Sequence, residues 1–230
     1  MEHLLLQIAT DTANNAANNN ELADESLSLL GLLIKGGWIM LPILLMAIGA
    51  VYIFIERYMT IRKAAEIDRE FMDKVKDMVA NENIEGARSI CQNHNSPVAR
   101  MLDKGIARIG RPFNDIKVAI ENVGNLEVFK LEKNLATLAT ISGAAPMLGF
   151  LGTVAGMIQA FFNLAQAGEN VSPALLAGGI YQALVTTAFG LAVGIIAYIG
   201  YNYLTSMVEK VIFRMEANTV EFMDLLQEPV

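Results

Sequence analysis

The chain has 230 residues, of which 53% are hydrophobic and only 18% charged, with a formal net charge of -7. A charged share well below the ~25% of soluble domains directs the reading to a membrane protein, and the acidic balance argues against nucleic acid as a partner. The single cysteine, Cys91, allows no intrachain disulfide and no paired-cysteine framework for metal or redox chemistry.

Residues 1–27 hold Glu2, Asp11, Glu21, Asp24 and Glu25, no Lys or Arg, and the low-complexity run from Asn14 to Asn20. Such a segment has little to bury, so a mobile stretch is expected. Its apolar run Leu4-Leu5-Leu6 has no basic flank and no small-residue cleavage site, so no cleaved signal peptide is expected. A first span is placed at 28–56, because Gly36 to Ile55 carry no charge and are bounded by Lys35 and by Glu56-Arg57. Trp38 and Tyr58 suit the two interfaces, and Pro42 falls in the first turns, where a missing N–H costs least.

Between Arg57 and Lys133 lie fourteen of the seventeen basic residues. By the positive-inside rule this block, 57–134, is cytoplasmic, with the N-terminus outside and the C-terminus inside. It reads as helices. The first span is expected to continue unbroken through Ile61, Ile67, Phe71, Val75 and Met78, until Asn81 to Asn83 interrupts it. A short helix follows over Ile84 to Asn93. Ser96-Pro97 reads as an N-cap with proline at the first helical position, opening a helix that stops near Gly110-Arg111-Pro112. Asn114 or Asp115 is expected to cap the next, which then runs about 75 Å, mostly outside the bilayer on the cytoplasmic side, with no breaker before Ala165 except Pro146, expected to kink it or loosen one turn.

Asn134 to Val208 contain one charged residue, Glu169. Two apolar runs, placed at 135–166 and 174–204, each exceed the ~20 residues that span ~30 Å of hydrocarbon, and the turn 167–173 separates them. They form a transmembrane helical hairpin. Beyond it, 205–230 keeps an amphipathic pattern and is expected to protrude as a cytoplasmic helix. A helical bundle built from extensions of the spans follows.

Gly149, Gly152 and Gly156, with Gly190 and Gly194, are small residues at four-residue or near spacing that let membrane helices approach closely. That approach serves packing within one subunit, self-association around an axis, or both. Ser142, Thr153, Gln159, Gln182, Thr186 and Thr187 are the polar groups at membrane depth. A threonine there commonly bonds its own backbone. Gln182 has no such local solution, and with Thr186, Thr187 and Thr153 of the antiparallel neighbour it is expected to form a polar strip. No carboxylate lies within a span, so any titrating acid must come from a partner. Cys91 and His94 supply too few ligands for zinc, and no phosphate loop or nucleophile motif is present, so no enzyme, metal or cofactor is expected.

The segments APMLGFLGTVAGMIQAF, GIYQALVTTAFGL and YNYL, with three spans and a large block between the first two, resemble the ExbB/TolQ/MotA proton-channel family, nearest its ExbB and TolQ branch. The resemblance covers about residues 30–208. It implies an all-α integral membrane protein of the bacterial inner membrane, with three transmembrane helices and long cytoplasmic helical extensions. It also implies a homopentameric ring around ExbD-like single-span subunits that carry a membrane aspartate. Such a ring would energise a TonB-like protein. Thr153 takes the place of the threonine in the family's LGTV motif, and Thr187 that of the later pore threonine. Gln182 stands where many relatives have glutamate, which removes an acid and keeps a sodium-driven variant open beside the proton. A TolQ-like or gliding motor and a non-conducting scaffold are the rival readings.

Overall fold

The computed structural model describes residue 31 and residues 36–65, 69–167 and 173–227, and every regular element among them is an α-helix. In chain order these are α1 (Met40–Ala64), α2 (Arg69–Ala80), α3 (Ile84–Asn93), α4 (Pro97–Ile106), α5 (Phe113–Glu132), α6 (Leu135–Ala167) and α7 (Pro173–Leu225). Long and apolar enough to cross a membrane are α1, the stretch Phe113–Ala167 and α7 from Leu176. The expectations for residues 1–27, Ile67 and the Glu169 turn fall outside the described residues.

The chain divides into two compact units, one of Met1–Ile48 with Ser142–Ile195 and one of Gly49–Ile141 with Ile196–Val230. In the first, a turn leads into α1: Met40 N donates to the Gly37 carbonyl at 3.1 Å and Leu41 N to the Trp38 carbonyl at 3.3 Å. Pro42 lies in the first turn of α1, where its missing donor leaves no helical bond unmade. Ile39, Ile43, Ala145, Ala160 and Ala183 are buried in this unit, whereas Trp38 is exposed.

In the second unit the first helix does not run on to Met78. It ends at Ala64, and α2 begins at Arg69. The physical reason lies far along the chain, where Arg214 Nη1 donates to the Ala65 carbonyl at 2.8 Å and gives the helix end a partner. Phe71 and Val75 on α2 are buried as their spacing predicts, and Lys76 pairs with Glu221 of α7.

The capping pattern places α3 and α4 as expected. Asn83 Oδ1 accepts from Gly86 N at 3.0 Å, and Ser96 Oγ from Ala99 N at 3.2 Å with Pro97 at the helix start. The predicted cap of α5 is not made. Pro112 occupies the cap position with no side-chain bond, its carbonyl accepts from Asp115 N at 2.9 Å, and Asp115 falls inside the first turn. Proline's fixed φ allows this start, two or three positions earlier than expected. At Gly105 a Cβ would meet Ile120 Cγ1 at 2.9 Å and Phe222 Cε1 at 3.1 Å, so α4, α5 and α7 converge on a point that admits no side chain. Cys91 is buried. Burial, with the charge of Asp103, pushes its thiol up to about 12, which leaves it unreactive. His94 stacks on Phe71, with ring centroids 4.4 Å apart, and its Nδ1 lies 3.0 Å from Ser96 Oγ. Both residues are structural.

The expected 75 Å helix also needs correcting. Pro146 sits inside α6 without ending it, and the break falls at Asn134, whose φ is +64. Asparagine tolerates this left-handed conformation better than most residues. The pair at the end of the first uncharged run secures it: Arg57 Nη1 donates to the Lys130 carbonyl at 3.1 Å, Asn134 Nδ2 reaches Glu56 Oε2 at 3.5 Å, and Arg57 and Glu56 are themselves paired. Arg57 is only 5% exposed. A turn earlier, buried Glu127 accepts from Arg100 Nη2 at 2.5 Å and Lys130 Nζ at 2.7 Å.

Two outcomes follow from these contacts. Replacing Asn134 with valine should cost about 1–2 kcal/mol, because a β-branched residue resists φ > 0, while Asn134→Gly should be neutral or nearly so; thermal melts of the purified protein in detergent give the comparison. Burial raises the Glu127 carboxyl, but its bonds and charge contacts with Arg100 and Lys130 prevail and hold it below the usual carboxylate range. Its contribution is therefore present above that range and lost as pH falls through the lowered value. Glu127→Gln should flatten this acid limb in melts recorded across pH.

Candidate functional site

The site is built on the seam between α6 and α7 in the unit that contains Ser142–Ile195. A Cβ on Gly149 would meet Gly190 Cα at 3.1 Å and Thr187 Cα at 3.2 Å; on Gly156, the Gly179 carbonyl at 2.9 Å and Ala183 Cβ at 3.0 Å. On Gly194 it would meet Pro146 Cδ at 2.7 Å and the Ser142 carbonyl at 3.0 Å. Partner numbers fall on α7 as they rise on α6, so the helices run antiparallel. All the glycines singled out by spacing (Gly149, Gly152, Gly156, Gly190, Gly194) line this seam, together with Pro146. Gly179 was missed. It lies eleven residues, or about three turns, before Gly190, and that period was available in the sequence.

Close backbone approach brings two hydroxyls together. Thr153 Oγ1 and Thr187 Oγ1 are 2.9 Å apart. Thr153 Oγ1 also lies 2.8 Å from the Phe150 carbonyl, and Thr187 Oγ1 lies 3.0 Å from the Gly149 carbonyl across the seam. Each hydroxyl has one proton, so the pair has two complete arrangements. Thr187 donates to Thr153, which donates to Phe150; alternatively Thr153 donates to Thr187, which donates to Gly149. Both directions satisfy every proton, and both hydroxyls remain half-buried. A pair of this kind can reorient without breaking the helices that carry it.

The predicted strip of Gln182, Thr186 and Thr187 is divided. Thr186 is buried, with Oγ1 at 2.9 Å from the Ala183 carbonyl and 3.1 Å from that of Gln182, and it packs against Gly152 and Gly36. Gln182 shares that face, because four residues advance a helix by little more than one turn. Its carboxamide lies against Gly37. Thr187 is turned away from both and meets Thr153. Gln159 donates to Asn163 at 2.9 Å on the exposed side of α6. Phe150, Leu151, Val154, Ile158 and Phe161 are exposed on that helix, and Leu184, Leu191 and Ile195 on α7. Among the described residues no cluster of three or more His, Cys, Asp or Glu is placed to hold a metal ion.

Together these features define a multi-pass helical membrane protein whose hairpin is closed by small residues and holds a hydroxyl pair in place of a titratable acid. The sequence profile of the MotA/TolQ/ExbB proton channel family matches residues 93–217, more than half of the chain. The chain belongs to that family. A biopolymer transport ExbB homologue of Methanothermobacter thermautotrophicus is 38% identical over 133 residues, covering 58% of this chain and 46% of the relative. An ExbB-like biopolymer transport protein of Synechocystis is 31% identical over 187 residues, covering 78% and 71%. The Tol-Pal system protein TolQ of Pseudomonas aeruginosa is 35% identical over 127 residues, covering 55% and 50%. The chain thus spans about half the length of the first and third of these relatives.

The seam makes a graded prediction. Gly190→Val forces a branched side chain into the Gly149 backbone and should cost about 1–3 kcal/mol or more by overpacking. Gly143→Ala, with nothing within 4 Å of the added Cβ, should be neutral. Melting of both variants in detergent, read against the parent, tests the seam.

Proposed function

We propose that the chain is an ExbB-like subunit of an inner-membrane motor that, with ExbD-like single-span partners, uses the proton motive force to energise TonB-dependent transport across the outer membrane. The observation that carries this reading is the Thr153–Thr187 hydroxyl pair, 2.9 Å apart within a hairpin whose spans have no acid. A partner aspartate moving along an apolar wall is costly to carry as an anion, so it is protonated in transit. Where it meets the hydroxyl pair it finds groups that both donate and accept, and there its proton can be exchanged. One charge crossing 100 mV releases about 2.3 kcal/mol, enough to bias a rotation or a pull.

In this reading the N-terminus is periplasmic and the C-terminus cytoplasmic, in keeping with the basic residues from Arg57 to Lys133. Copies of the chain assemble as a pentamer around the partner helices, and lipid covers the outer face. The subunit catalyses no covalent chemistry. Similarity to TolQ of Pseudomonas aeruginosa favours a second reading, service in a Tol-Pal type complex. Co-purification of a TonB-like or a TolA-like protein separates the two.

Thr187→Val keeps the volume and removes the hydroxyl. A hydrogen bond to a charged group is worth about 1.5–3 kcal/mol, so ion flux in vesicles holding the assembled complex should fall roughly ten- to hundredfold. Thr153→Val should behave alike, with assembly intact in both. Full flux in both variants would refute the assignment.

A further inference from the structure

The polar face of α7 that does not reach the hydroxyl pair has its own partner. Gly37 adopts φ +72, a conformation that side-chain-bearing residues rarely take. A Cβ built there would run into Gln182 Nε2, with Cδ at 3.1 Å and Oε1 at 3.8 Å. Beside it, a Cβ on Gly36 would meet Thr186 Cγ2 at 3.5 Å. Two consecutive glycines therefore lie on Gln182 and Thr186, one helical turn apart on α7. This is the turn that opens α1: Gly37 and Trp38 supply the carbonyls that accept from Met40 N and Leu41 N. The first N–H groups of any helix have no acceptor within it, and a carboxamide, which both donates and accepts, suits the ground beside them.

We propose that Gln182 is a positioning residue: its carboxamide seats the Gly36–Gly37 turn, and with it the start of α1, on α7, and it stands apart from ion passage at Thr153 and Thr187. The contact explains two features together. Gly37 needs both a positive φ and the absence of a side chain. Gln182 needs a polar surface at a depth where its amide has no backbone solution on its own helix. Only the second clause of the proposal rests on the ion reading; the contact itself does not.

The test is a swap in the full-length protein. Asparagine tolerates φ > 0, so Gly37→Asn adds a carboxamide on the turn and clashes with Gln182, while Gln182→Ala removes the original amide. Each single variant should lower the melting temperature by about 2–4 °C or more. The double variant restores one amide in the same space and should regain most of the loss. A double variant whose shift equals the sum of the singles overturns the contact. In vesicles holding the complex, the double variant should keep the parent's preference between proton and sodium; a changed preference overturns the separation of Gln182 from ion passage. Should the parent itself carry no current, the ion reading fails, and the melting experiment still decides the contact.

Discussion

The constraint on which the hairpin depends is the distance between two backbones. In hydrocarbon there is no hydrophobic gain in bringing helices together, so association rests on packing and on polar groups satisfying one another. Gly149 against Gly190, and Gly156 against Gly179, bring α6 and α7 close enough for main-chain atoms to touch any added Cβ. The Thr153–Thr187 bond is a consequence of that approach. A threonine side chain is short, so the two hydroxyls meet at 2.9 Å only where the seam brings their backbones face to face. The glycines thus set the geometry of the pair, and one of them, Gly149, also supplies a carbonyl that accepts from Thr187 Oγ1.

A second theme is the use of arginine to end helices. Arg57 serves the carbonyl of Lys130, and Arg214 that of Ala65. In each case a helix that its own hydrophobic period would extend stops where a guanidinium from a distant segment takes up a carbonyl. Around these ends the second unit is tied by pairs that cross its helices, Lys76 with Glu221 and Arg100 with Glu127. The buried carboxylate of Glu127 is tolerated because two cations bond it, which matches the general rule that buried charge must be paired.

Much of this was legible in the sequence, and what was not has one cause. The spans, the bounds of α3, the Ser96-Pro97 start and the small-residue seam are local: spacing, capping chemistry and side-chain size decide them. The break at Asn134, the end of α1 at Ala64 and the turn at Gly37 are not. Each depends on a group from elsewhere in the chain, and Asn134 carries no breaker signal as strong as the proline twelve residues later that breaks nothing. The polar strip failed for a related reason. Gln182, Thr186 and Thr187 crowd together in one dimension, but a helix turns about 100° per residue, so Thr187 and Gln182 point well apart.

The Arg57–Lys130 contact also bears on how the chain is made. Its donor precedes its acceptor by 73 residues, and chains fold from the N-terminus as they emerge. The guanidinium is therefore already present at the end of the first span when α5 leaves the ribosome, and the last turn of α5 meets its terminator on arrival. A chain rearranged to begin after α1 would make α5 and α6 without their terminator, and through that interval nothing but Asn134 would keep them from joining as one rod.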